Sequence, residues 1–233
     1  PTAAFRQSRT VPNFWFLALT GLVLLALTGQ AEAAIKYWVG STAGNWDGAN
    51  RWATTSGGST FTATPGSVDI ATFDNGGIGN CTLNIAVNVA GMNIVGGATA
   101  YPGIITQATG ITVTVAASNY VQAGGTFTGG DTVIDINDGS FSLSGGSFTN
   151  SSGGMTIERN LTLSGGTFSN TATITFDGGS TSGADDSTLT CTGTFPGTVD
   201  FNKINLGNAF TLAAGCSIDL GASPTGALSF DLT

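Results

Sequence analysis

The chain has 233 residues, of which 36 are glycine and only 9% are charged; it contains no histidine and carries a net charge of −8. Without histidine there is no Ser-His-Asp triad, no Cys-His pair and no His-based metal site. The acidic balance repels nucleic acid and anionic lipid, so neither is an expected partner.

The chain opens with Pro1 rather than Met, which suggests a fragment of a longer reading frame. Arg6 and Arg9 precede an apolar run centred on Phe14 to Leu27, followed by Ala31-Glu-Ala33. A basic start, an apolar core and an Ala-x-Ala site are the three parts of a secretory signal peptide, here spanning 1–33 with cleavage after Ala33. The apolar core is shorter than the roughly 20 residues a spanning helix needs. The mature part, with no membrane span expected, keeps four basic and thirteen acidic residues, a net charge near −9.

Residues 34–64 hold Trp38, Trp46 and Trp52, three of the four tryptophans. They read either as a cap over the open end of a stacked β structure or as an aromatic platform for sugars, and the cap reading is preferred. From Pro65 onward, Ile70 to Phe73, Thr82 to Val89, Met92 to Val95, Gly103 to Thr106 and Ile111 to Val115 alternate strand with turn.

The strongest signal is a repeat. Tyr120-Val-Gln-Ala-Gly-Gly-Thr-Phe-Thr-Gly129, Phe141-Ser-Leu-Ser-Gly-Gly-Ser-Phe-Thr-Asn150 and Leu161-Thr-Leu-Ser-Gly-Gly-Thr-Phe-Ser-Asn170 place Gly-Gly pairs at 124, 145 and 165. Between them recur Ile134/Ile136, Met155/Ile157 and Ile174/Phe176, so each unit is read as two short strands. Such a unit cannot bury its apolar side alone, and stacking the units gives a parallel β-solenoid over 65–233, with coils of roughly 20 residues. Phe127, Phe148 and Phe168 are expected to stack as a buried column about 4.8 Å apart. The exchange of Gly129 with Asn150 and Asn170 predicts a left-handed turn residue, and the asparagines a short side-chain ladder.

Cys191-Thr-Gly-Thr-Phe195 reads as a fourth copy, offset by 27 residues, the excess forming an outward loop over 178–186. Strands around Val199, Ile204, Phe210 and Ile218 follow. The closing strand, Ala227 to Leu232, is alternating and uncapped, which predicts continuation beyond Thr233 and self-association of the isolated segment through that edge.

Trp38-Val-Gly, Asn45-Trp46, Asn50-Arg51-Trp52, Pro65-Gly-Ser-Val-Asp-Ile-Ala-Thr-Phe-Asp74 and the repeated Ser-Gly-Gly-Thr-Phe together resemble the opening of large bacterial surface proteins with β-helical passenger regions, the autotransporter-type adhesins. The resemblance implies export, a right-handed β-helix and a role at the cell surface, and transfers no catalytic residue. It makes the chain a non-enzymatic structural or adhesive segment, with host or surface glycans or other cell-surface proteins as partners. The alternative is a carbohydrate-active β-helix enzyme, a polysaccharide lyase or hydrolase, or a sugar-binding module.

Chemistry for that alternative is sparse, and no catalytic, cofactor-binding or metal-binding residue is assigned. Asp131, Asp135 and Asp138 form one acidic cluster, with Asp135-Ile-Asn-Asp-Gly139 loosely like a calcium loop but lacking its spacing and terminal Glu. Thr112/Thr114 and Thr171/Thr173/Thr175 raise ice binding, yet these pairs do not recur at one place per coil. Cys191 and Cys216, 25 residues apart, are either a bridge between adjacent rungs or two buried thiols, with Cys81 left over.

Overall fold

A computed structural model describes residues 33–178, 186–203 and 208–218. The expected leader, most of the outward loop, the Ile204 strand and the closing Ala227–Leu232 strand lie outside the described residues.

Short alternating segments with glycine-rich corners leave the chain one stable option, winding so that each strand pairs with its counterpart one turn later. The result is an all-β parallel solenoid of about six turns. Among the described residues its first face carries nine strands, running from Trp52–Ala53 and Ile35–Trp38 through Ile70–Phe73, Tyr120–Gln122, Phe141–Leu143 and Leu161–Leu163 to Phe210–Leu212. The second face carries six, from Gly44–Asn45 and Cys81–Leu83 through Ile104–Gln107, Thr126–Thr128 and Ser147–Thr149 to Thr167–Ser169. The third also carries six, among them Val113–Ala116, Ile134–Asn137, Met155–Ile157 and Thr173–Gly178. Each repeat therefore holds three strands where the sequence suggested two. The extra corner is the Gly-Gly pair itself, which separates Leu161–Leu163 from Thr167–Ser169 and so divides one apparent strand between two faces.

Stacking is in register. Phe127 pairs with Phe148 and Phe148 with Phe168, while Tyr120 pairs with Phe141 and Ile134 with Met155. Turn length is close to 22 residues rather than 20, because insertions lengthen some turns: Met92 pairs with Tyr120, and Leu161 with Leu189, 28 positions on in each case.

The aromatic column forms as expected. Phe127 and Phe148 stack at 5.1 Å with an interplanar angle of 11°, and Phe148 and Phe168 at 5.6 Å and 4°. Phe195 extends the series at 5.8 Å from Phe168, as a fourth copy should. Phe127 and Phe148 are fully buried, whereas Phe168 is only partly so, a correction to the expected uniform burial. Beside it the six-stranded sheet stops, and Gly193–Phe195 pairs instead with Cys216–Ile218 in a separate two-stranded sheet.

The corners depend on glycine for two different reasons. A Cβ on Gly145 would sit 2.4 Å from the Ala123 carbonyl oxygen of the preceding turn, and Gly146 adopts φ +74°, open to few other residues. The left-handed position is thus the second Gly of each pair, not the Gly129/Asn150/Asn170 position, none of which has positive φ. Gly129 is required there by space, since its Cβ would meet the Ser151 nitrogen at 2.3 Å. The asparagine ladder does form, Asn150 Nδ2 donating to Asn170 Oδ1 at 2.9 Å.

Two inward glutamines hold corners from within. Gln122, wholly buried, accepts from the Tyr120 hydroxyl at 2.8 Å and donates to the carbonyls of Gly124 and Ser147 at 3.1 and 3.0 Å. Gln107 donates to Ile111 and Thr132 carbonyls and accepts from the Gly130 N–H at 2.9 Å. These contacts satisfy backbone groups that turns leave unpaired.

Phe148 touches rings above and below, so Phe148→Ala opens a void that two neighbours cannot fill together. We expect a loss of about 3–5 kcal/mol, read as a lower denaturation midpoint. Val121→Thr, exposed on the first face, should stay within about 0.5 kcal/mol of the parent.

Candidate functional site

Each place where the sequence suggested chemistry can be built up from its residues. The tryptophans come first. Ile35–Trp38 pairs parallel with Ile70–Phe73 on one side, and antiparallel with Trp52–Ala53 on the other. That reversal ends the nine-stranded sheet with an element running against the winding direction and so covers its edge. Trp38, Trp46 and Trp52 are at most 1% exposed and pack around Phe73, Trp52 edge-on and the other two tilted, with Trp46 and Trp52 ring centres 4.6 Å apart. Two of the indole N–H groups have internal partners: Trp38 donates to the Gly79 carbonyl at 2.9 Å and Trp52 to the Trp46 carbonyl at 2.7 Å. Tyr101 donates to the same Gly79 oxygen at 2.7 Å. The sugar-platform reading is therefore overturned, because rings buried in a core present no face to a glycan.

Arg51 reinforces this end of the molecule. Its guanidinium lies 5.7 Å over the Trp38 ring and donates to the Thr42 and Ala43 carbonyls at 2.8 and 3.3 Å. Lys36 reaches Asp69 at 2.9 Å, and Asp69 also accepts from the N–H groups of Gly66 at 2.8 Å and Ala34 at 3.3 Å. Burial alone would raise the Asp69 pKa, but the Gly66 N–H and Lys36 outweigh it and hold the carboxyl below its ordinary value.

The acidic cluster is not brought together. Asp131 lies in the corner before Ile134–Asn137, Asp135 within that strand and Asp138 in the corner after it, at φ +54°. Each turns to a neighbouring rung: Asp131 accepts from the Gly110 N–H at 2.7 Å, Asp135 from the Thr156 hydroxyl at 2.7 Å, and Asp138 pairs with Arg159. The Gly110 N–H holds the Asp131 carboxyl below the usual range. Among the described residues no three His, Cys, Asp or Glu side chains converge on a common point.

Cys191 and Cys216 form a disulfide with Cα atoms 4.8 Å apart, the rung-to-rung bridge. Cys81 is wholly buried, and burial pushes its thiol well above its ordinary pKa. A cleft of about 250 Å³ opens beside the disulfide, where the second face breaks; Leu163, Ser164, Phe168, Thr194 and Pro196 are among its lining residues. None of the lining residues has an ionisable side chain, so the cleft holds no acid or base for hydrolysis or elimination. Sequence reasoning missed this cleft and the buried glutamines. The glutamines were detectable, since Gln107 and Gln122 occupy inward positions of alternating strands; the cleft depends on the loss of pairing after Thr167–Ser169, which no local pattern encodes.

No known family model, curated protein or solved structure matches the chain.

Two measurements follow from these contacts. Under native, non-reducing conditions we expect no alkylation by iodoacetamide, one labelled cysteine after unfolding and three after reduction, with loss of the disulfide costing about 3 kcal/mol. The Asp69 pKa is depressed in the fold, so its stabilising contribution is complete above the unfolded value of about 3.9 and disappears as pH falls through the lower folded value. A melting-temperature profile from pH 7 into the acid range should therefore fall less steeply in Asp69→Asn than in the parent.

Proposed function

We propose that the chain is a non-enzymatic structural segment of a secreted bacterial surface protein, a stiff rod that spaces or displays neighbouring regions outside the cell. The single observation that carries this reading is the disulfide between Cys191 and Cys216, since such bonds persist in oxidising, extracytoplasmic compartments. Residues 1–33, with their basic start, apolar core and Ala31-Glu-Ala33, supply the matching address. A continuous core with strands on three faces suits a spacer, because each rung is supported by the next and length is added without redesign. The autotransporter and adhesin resemblance belongs to this proposal, with surface glycans or other surface proteins as its partners.

Expression of the full chain in a bacterial host, followed by fractionation and N-terminal sequencing, tests the reading. The expected product begins at Ala34, lies outside the cytoplasm and has Cys191 bonded to Cys216. A cytoplasmic product that keeps residues 1–33 and free thiols would refute it.

A further inference from the structure

The second face carries an ordered array of hydroxyl groups that the structural role leaves unused. Inner positions of its strands hold Leu83, Ile105, Phe127, Phe148 and Phe168, so the alternate residues point outward. One outward rank runs Thr82, Thr106, Thr128, Thr149, Ser169 in unbroken register; a second runs Ile104, Thr126, Ser147, Thr167. Paired hydroxyl residues do recur at a fixed place per coil, as Thr126/Thr128, Ser147/Thr149 and Thr167/Ser169 rather than as the pairs the sequence suggested.

Three features accompany these ranks. The strands from Cys81–Leu83 to Thr167–Ser169 contain no charged residue, although the chain carries −8. Among the described residues, none of the eight outward hydroxyls bonds to another protein group through its side chain, whereas on the third face Thr156 is tied to Asp135. The phenylalanines behind the two ranks also lie within 11° and 4° of parallel from rung to rung, so each rung repeats the one before it in register.

A neutral, in-register lattice of hydroxyl and methyl groups, with spacings of about 4.8 Å across strands and roughly 6.7 Å along them, is a template for water. Each free hydroxyl anchors one molecule while the methyl group beside it restricts the alternatives. The two spacings lie close to oxygen repeats of hexagonal ice. We propose that this face binds ice through a layer of water ordered by the Thr82–Ser169 and Thr126–Thr167 ranks. Crystalline polysaccharide is the less favoured partner, since its flat sugar rings are gripped by exposed aromatics and the aromatics of this face point inward.

The test uses the purified full chain. Expected are a freezing hysteresis and incorporation of fluorescently labelled protein into slowly growing ice. Thr149→Tyr, at the centre of the array, should abolish most of both without altering the far-UV spectrum or melting temperature; Val121→Lys, on the first face, should leave both unchanged. If the tyrosine variant fails to fold, Thr128→Lys examines the same rank. Exclusion of the folded parent from ice overturns the proposal, as does retention on crystalline cellulose or chitin without ice uptake. Equal activity in the array variants and the parent would equally overturn it.

Discussion

In-register pairing of each turn on the last is the constraint that governs the rest of the molecule. When residue 127 sits over 148 and 148 over 168, whatever fills one layer of the core must be matched in the next, so Phe follows Phe and Ile134 is covered by Met155. A large-to-small change in one layer is felt in two others, because interiors are close-packed and neighbouring layers share the same rings.

The same constraint explains residues that are not apolar. Turns brought within one strand spacing crowd their corners, and the Gly145 position has a carbonyl of the previous turn where a Cβ would be. Carbonyls and N–H groups at those corners are left without strand partners, and Gln107, Gln122 and Asn150, the last by accepting from the Ser151 N–H, supply them from side chains aligned by register. Among the described residues the first turn has no turn beneath it; the antiparallel Trp52–Ala53 strand and three buried indoles close that end of the core. Outward groups inherit the regularity of the inward ones, which is why hydroxyls on the second face form ranks.

Much of this was legible in the chain itself. The repeated Gly-Gly-x-Phe phrase located the stacked phenylalanines and the fourth copy at Phe195, and alternation marked the strands. Two misreadings share one cause, the treatment of a three-dimensional corner as a one-dimensional pattern. The Gly-Gly pairs looked like punctuation within a strand and are the bends between faces; Gly129 looked left-handed because it exchanges with asparagine, whereas the exchange reflects crowding at Gly129 and a ladder at Asn150 and Asn170. Asp131, Asp135 and Asp138 are close in sequence, but a strand and its two corners aim them at different rungs. The threonine ranks became visible only once register showed which alternate residues share a face.

Cysteine pairs introduced on the second face test the register most directly. Thr128 and Thr149 are direct partners on adjacent rungs, within the span a disulfide bridges, whereas Thr128 and Ser147 are diagonal and roughly 8 Å apart, beyond it. The account predicts rapid, near-complete crosslinking of the Thr128→Cys, Thr149→Cys variant under mild oxidation, and little in the Thr128→Cys, Ser147→Cys variant. Equal crosslinking of the two, or preference for the diagonal pair, would contradict the stacking on which the fold rests.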